Sequence, residues 1–201
     1  MQNIIIAFSG KAQAGKTQSS EILKELVESG NDLTFQKLSF ATAVKEIAKY
    51  YFNWDGDKGI YHHPKKLALL DSPEMEDSNT IIQDKGRQLL INIGSNFREI
   101  RPTIWADIIM KTMADLDVGK PENVIYCIDD LRFLNEINVL NTYGRTEFVR
   151  VKRPSQLDLD DPTERDLDAY KFERHIENDG TLDELKKQVN VIYQDILKKY
   201  N

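Results

Sequence analysis

The eight residues Gly10-Lys11-Ala12-Gln13-Ala14-Gly15-Lys16-Thr17 constrain this chain more than any other stretch of it. They satisfy the pattern G-x-x-x-x-G-K-[ST], which carries meaning only between a buried strand and a helix. Both neighbours are present. Upstream, Asn3 to Phe8 reads NIIIAF, a short, continuously apolar and β-branched run of the kind expected for a strand covered on both faces. Downstream, TQSSEILKELVESG puts Ile22, Leu23, Leu26 and Val27 at helical spacing and stops at Gly30. Glycines let the backbone curl so that successive N–H groups point inward, and the following helix turns its positive end towards the same anion. Lys16 can then reach the terminal phosphates of a nucleotide, and Thr17 can offer a hydroxyl to Mg²⁺. A merely permissive strand-to-helix turn is the plainer alternative; the context favours a nucleoside triphosphate. Gly10 to Thr17, with Gln18 in the first helical turn, therefore form the candidate donor-binding set.

Strand and helix alternate along the rest of the chain. Leu33 to Phe40 reads as a second strand and ATAVKEIAKYYF as a helix. Two helical stretches fall between Thr80 and Leu116, where Ile81, Leu89, Leu90 and Ile93, then Ile104, Trp105, Ile108, Ile109 and Met113, recur every three to four residues. NVIYCIDD is the next buried strand, FLNEINVLNTYG a helix closed by Gly144, and TEFVRVKR a further strand. The last helix spans TLDELKKQVNVIYQDILKKY, with Thr181 and Glu184 in the spacing of a capping box. Such alternation implies an α/β fold, a parallel sheet with helices on both faces.

Composition narrows the class. The 201 residues suit a single domain, and 40% hydrophobic with 30% charged residues read as a globular chain with no apolar stretch long enough to cross a bilayer. The start MQNIIIAFSG lacks a basic leader and a small-residue cleavage site, so a cytoplasmic location is expected. Cys127 is the only cysteine, which excludes an intrachain disulfide and a cysteine-based zinc site. A net charge of -6 disfavours nucleic acid as a partner, because that binding leans on phosphate neutralisation. Small anionic nucleotides gripped by a few placed cations fit better. Oligomeric state is open, and a homodimer is compatible with the sequence.

A second half of the site is visible in CIDDLRF. Asp129 and Asp130 stand at the carboxyl end of a buried strand, where parallel sheets bind ligands. A carboxylate there can hold Mg²⁺ or accept a proton from an attacking oxygen; alternatively the pair caps the helix that begins near Phe133. Phosphoryl transfer needs charge stabilisation more than covalent help, and Arg87, Arg98, Arg101, Arg132, Arg153 and Arg165 are available in or near loops.

Five blocks carry a resemblance: FSGKAQAGKT, LSFATAVKEIAKYYFNWDG, GRQLLINIGSNFREIRPTIW, VIYCIDDLRFLNEINVL and DPTERDLDAYKFERHIENDGTLDEL. In order and spacing they resemble bacteriophage-type deoxynucleoside monophosphate kinases, P-loop NTPases of the nucleoside monophosphate kinase kind, over nearly the whole chain. The first block is common to a vast superfamily; the GRQLLINIG and DDLRFLNE blocks are more particular. The resemblance implies a five-stranded parallel core, an acceptor-binding region over about 42–117 and a lid over about 153–174. It implies transfer of the ATP γ-phosphoryl, with Mg²⁺, to a deoxynucleoside monophosphate. Lys45, Arg87 and Arg132 would then line the acceptor side, with Arg98 a further candidate; Trp54 and Tyr61 are candidates to flank the base, packing in the core being the plainer alternative. Arg153 or Arg165 would close over the triphosphate. Lys16, Asp129 and Arg132 are the implied catalytic set, and Thr17 with Asp129 the implied metal ligands.

Two other readings remain open: similar P-loop kinases act on hydroxymethylated pyrimidines, as nucleotides or within DNA, and a nucleotide-binding switch would have no acceptor at all. Dephospho-coenzyme A kinase is a more distant relative with the same logic. NWDGDKG lacks the offsets of a calcium loop and is expected to be a turn. The adjacent His62 and His63 have no third ligand at metal spacing, while Cys127 and Trp105 read as core.

Overall fold

The computed structural model describes residues 3–30, 32–56, 60–61, 82–83, 85–118, 123–154 and 166–200. The elements are β1 (Ile4–Ser9), α1 (Lys16–Ser29), β2 (Thr34–Leu38), α2 (Phe40–Phe52), β3 (Ile60–Tyr61), β4 (Ile82–Gln83), α3 (Lys85–Ile100), α4 (Ile104–Asp117), β5 (Val124–Leu131), α5 (Leu134–Asn141), β6 (Thr146–Lys152), β7 (Arg174–Glu177) and α6 (Leu182–Tyr200). The chain divides into two compact units, Met1–Phe40 with Trp105–Asn201, and Ala41–Ile104.

In the first unit a five-stranded sheet runs in the order β2-β5-β1-β6-β7. Every pairing in it is parallel, as the alternation of strands and helices requires. All six residues of β1 are buried, which explains why it reads as a continuous apolar run without alternation. One face, with Ile4, Ile6, Phe8, Ile125, Cys127, Val149, Val151 and Ile176, packs under Ile22, Leu23 and Val27 of α1 and Leu185, Val189 and Ile196 of α6. On the other face Tyr126 donates its hydroxyl to Asp117 at the end of α4, and Trp105, Ile109 and Met113 of that helix are buried. Among the described residues no helix is long and apolar enough to cross a membrane.

Cys127 is core, as its place in VIYCI suggests. Burial pushes its thiol up to about 12, against the opposing hydrogen bond to Ser20 Oγ, so it is no nucleophile at neutral pH. The capping box at the start of α6 forms as the spacing indicates: Glu184 accepts from the Thr181 amide at 2.6 Å, and Thr181 Oγ1 accepts from the Glu184 amide at 3.3 Å.

Three features depart from the sequence pattern. Phe40, assigned to the second strand by its alternation, opens α2 instead, because Asp130 on the neighbouring strand captures the Phe40 amide and turns the chain. The fifth strand, Arg174–Glu177, has one buried residue, Ile176, and so too little pattern to be recognised. Lastly, the second unit holds an antiparallel β3–β4 pair that no periodicity announced. His62 and His63 lie outside the described residues.

Opposite the loop end of the sheet, Glu147 is buried and accepts from Arg174 Nε at 2.8 Å, Lys199 Nζ at 2.7 Å and the Tyr200 hydroxyl at 2.8 Å. It thereby ties β6 to β7 and to the end of α6. Burial works against its charge, but the Lys199, Arg174 and Tyr200 hydrogen bonds outweigh burial and hold the carboxyl below its ordinary value of 4.5. A depressed carboxylate stabilises the fold fully above its unfolded value, and that stabilisation disappears as pH falls through the folded value. At neutral pH Glu147→Gln is expected to cost about 2 kcal/mol, under the range for an enclosed pair because the Lys199 side chain is 48% exposed. Thermal melting should show the gap between wild type and variant closing as pH drops below 4.5. A gap independent of pH would mean that the carboxylate charge contributes nothing.

Candidate functional site

β1 delivers the chain into the glycine loop at the carboxyl edge of the sheet. Gly10 has φ 154° and Gly15 φ 104°. A Cβ on Gly10 would overlap the Val151 carbonyl oxygen and lie 3.2 Å from Ala14 Cβ, so the loop crosses the end of β6 with no space for a side chain. Gln13 also adopts a positive φ, 62°, at the top of the turn. The Ala14 amide closes back on the Lys11 carbonyl at 3.2 Å, and the Ser19 amide takes the Gly15 carbonyl at 2.8 Å as α1 begins. From below, Asn178 Nδ2 donates to the Ala14 carbonyl at 2.8 Å. Lys16 Nζ lies over the loop, donating to the Gly10 and Lys11 carbonyls at 2.6 and 2.7 Å. An ammonium that rests on these two carbonyls stands over the loop, within reach of an anion bound in it.

The doubled aspartates occupy an irregularity. Ile128 is opposite Ala7 and Leu131 opposite Ser9, so β5 takes three steps where β1 takes two. Asp130 points to the strand's outer neighbour, accepting from Ser39 Oγ at 2.7 Å and the Phe40 amide at 3.1 Å, and so caps α2. Asp129 is on the face covered by α1. Its Oδ2 pairs with Lys37 Nζ of β2 at 2.9 Å, and Lys37 also reaches Glu21 of α1 at 3.3 Å. Burial opposes the charge on Lys37, but the Asp129 and Glu21 carboxylates prevail and raise it above the ordinary lysine value. Capping of the helix near Phe133 falls to neither aspartate. The Arg132 and Phe133 amides donate to Glu136 Oε2 at 2.9 and 3.0 Å, and the Leu134 amide donates to Asp166 Oδ2 at 2.6 Å.

Beside the loop, past the ends of β6 and β7, opens a cavity of about 680 Å³ whose walls include Lys11, Arg150, Arg153, Tyr170, Phe172 and His175. Tyr170 and Phe172 meet edge to face with ring centroids 4.8 Å apart. Arg150 donates from Nη1 to Ser9 Oγ at 3.0 Å and from Nη2 to Asp168 Oδ1 at 2.6 Å.

No protein-family model matches the sequence, and no curated protein matches it. Solved structures do. Dephospho-CoA kinase from Campylobacter jejuni is 15% identical, with a TM-score of 0.54 over 100% of both chains. An APS kinase from Mycobacterium tuberculosis, 12% identical over 98% of both chains, scores 0.48, and a gluconokinase from Sinorhizobium meliloti 1021, 13% identical over 98% of both, scores 0.42. The fold is that of the P-loop kinases.

Within this P-loop kinase fold the expected donor residues Gly10 to Gln18 form one continuous loop and first helical turn, with Lys16 over it and Thr17 and Gln18 exposed. Arg132 follows directly on β5, half-buried, and Arg153 is exposed beside the cavity. Arg165 lies outside the described residues. Of the expected lid, 155–165 is likewise outside them, Leu167 and Phe172 are buried, and Arg174 already belongs to β7. Lys45, Trp54, Arg87 and Arg98 all belong to the unit Ala41–Ile104. There Trp54 is 5% exposed, Arg87 is exposed, and Arg98 Nη1 donates to the Gly94 carbonyl at 3.2 Å.

Lys37, Arg150 and Asn178 were missed by the sequence reading. Arg150 left a signal, since a charge between two buried valines in TEFVRVKR demands a fixed partner. Asn178 left none, because the strand before it was itself unrecognised.

The close approach at Gly10 separates two costs. Gly10→Ala is expected to lower stability by about 3 kcal/mol or more, through overlap with backbone as well as the unfavourable φ. Gly144→Ala also sits at a positive φ, 94°, but meets nothing within 4 Å, so about 1 kcal/mol of φ strain is expected. Thermal melting of the two variants decides it: equal shifts would mean that β6 does not confine the loop.

Proposed function

We propose that the protein is a deoxynucleoside monophosphate kinase that moves the γ-phosphoryl group of ATP, with Mg²⁺, onto a deoxynucleoside monophosphate. The observation that carries the reading is the confined glycine loop with Lys16 Nζ laid across its carbonyls at 2.6 and 2.7 Å. Its setting in a fold shared with dephospho-CoA kinase supports the phosphotransferase class. The five sequence blocks that resemble phage-type deoxynucleotide kinases support the acceptor.

In the reaction an oxygen of the acceptor's phosphate attacks the γ-phosphorus in line, while the bond from that phosphorus to the β-phosphate oxygen breaks and ADP departs. The loop amides and Lys16 draw charge from the transferred group, and this is where most of the catalytic effect arises. Thr17 Oγ1 and the Asp129 carboxylate are hard oxygen donors of the kind Mg²⁺ takes, and they would hold it. Bound there, the ion neutralises charge on the phosphates. The cavity beside Lys11 receives the nucleoside end of the donor, its volume being ample for a base and ribose. Arg132 grips the acceptor phosphate, with Lys45, Arg87, Arg98 and Trp54 forming the acceptor region. Arg153 or Arg165 closes on the triphosphate as water is excluded.

Mixing the full chain with Mg-ATP and each deoxynucleoside monophosphate, natural or hydroxymethylated, tests the reading through ADP release. Release that requires one acceptor is expected. Release indifferent to any acceptor, or none at all, would leave a nucleotide-dependent switch. Lys16→Ala should lower turnover at least about a hundredfold, the scale of losing one preorganised charge contact, with melting within a few degrees of wild type. Retained turnover would remove Lys16 from the site. Arg132→Lys should raise the acceptor KM by about tenfold, because an ammonium cannot reproduce a bidentate fork. An unchanged acceptor KM would take Arg132 out of the acceptor site.

A further inference from the structure

Arg150 is a charged residue inside a buried strand. Val149 and Val151 on either side are 0% and 1% exposed, and the Arg150 side chain itself is 11% exposed. In the sheet it stands in register opposite Ser9, the last residue of β1 and the one directly before Gly10. Its guanidinium has three partners. Nη1 donates to Ser9 Oγ at 3.0 Å, Nη2 donates to Asp168 Oδ1 at 2.6 Å, and the group lies over the Phe172 ring at 5.6 Å from its centroid. Ser9 is 1% exposed and belongs to the entrance of the glycine loop. Asp168 and Phe172 belong to the turn that leads into β7. One rigid plane therefore joins two distant parts of the chain.

We propose that Arg150 is a positioning residue for the phosphoryl donor, a strut through which the turn at 166–173 holds Ser9 and with it the first glycine of the loop. The inference rests on the donor reading above. Ser9 sets the direction in which β1 enters the loop. The next carbonyl, that of Gly10, is one of the two that hold Lys16. A displacement at Ser9 thus reaches the loop amides and the lysine directly, and Arg132 only through Leu131, the residue paired with Ser9 on β5. The ring of Phe172, 8% exposed, lies against the guanidinium and limits its freedom between Asp168 and Ser9. Lysine cannot substitute, because a single ammonium lacks the fork that spans the two oxygens.

The test is equilibrium titration of the full chain with a non-hydrolysable ATP analogue, alongside steady-state kinetics. Arg150→Lys is expected to raise the analogue's Kd roughly tenfold, the scale of one charge-assisted hydrogen bond, and to raise the acceptor KM at saturating ATP by clearly less. Asp168→Asn should raise Kd less, and the double variant should be no worse than Arg150→Lys alone, since both substitutions cut one strut. If Arg150→Lys does not fold, Ser9→Ala, which removes only the bond at the loop end, should still raise Kd. Wild-type Kd in a folded variant with lowered melting, or fully additive effects, would overturn the proposal and leave the donor reading standing. Failure of the wild-type protein to bind the analogue would overturn the donor reading and the strut together.

Discussion

Between Gly10 and the carbonyl of Val151 there is no room for a methyl group, and the course of the glycine loop follows from that contact. The loop leaves β1, crosses the end of β6 and enters α1, held against the sheet from one side by Val151 and from beneath by Asn178. Asn178 is itself fixed because its amide donates to the Lys152 carbonyl at 2.7 Å, one residue beyond β7. β7 has only four residues, and it stays registered on β6 through the Glu147–Arg174 pair at its start and this amide bond at its end. A buried carboxylate at one end of the strands thus supports the glycine loop at the other. Without the intervening short strand the loop has no floor.

Much of this was legible in the sequence where burial is extreme and little where it is partial. β1 and β5 bury nearly every residue and announce themselves as apolar runs; the loop between β1 and α1 announces itself through glycines that no other residue replaces. α6 shows both its apolar stripe and its capping box. β7 is legible by neither route, since one buried isoleucine in four residues carries no period, and the β3–β4 pair is shorter still. Phe40 was assigned to the wrong element for a related reason. Alternation of apolar residues predicts a strand, but a hydrogen bond from its amide to Asp130, 90 positions along the chain, decides that a helix begins there. Tertiary capping of this kind leaves no local trace.

The two adjacent aspartates illustrate how the fold divides labour that the sequence leaves shared. In the structure the two side chains engage different neighbours, Asp130 the start of α2 and Asp129 the ammonium of Lys37. Asp130 is consumed by the start of α2, where two hydrogen bonds engage both of its oxygens. Asp129 remains on the face of α1 with a cation already beside it. Lys37 spreads its charge over Asp129 and Glu21, and these two carboxylates hold it above the ordinary lysine value against the opposing effect of burial.

That pairing bears on how a metal ion enters. One carboxylate shared with an ammonium, together with one hydroxyl, offers a hard cation far fewer oxygens than the six it prefers. Under the proposed reading, phosphate oxygens of the nucleotide would supply the missing ligands, and the metal would arrive with the nucleotide. Lys37 sharpens this preference: its positive charge repels a bare divalent ion more strongly than a metal already neutralised by a triphosphate.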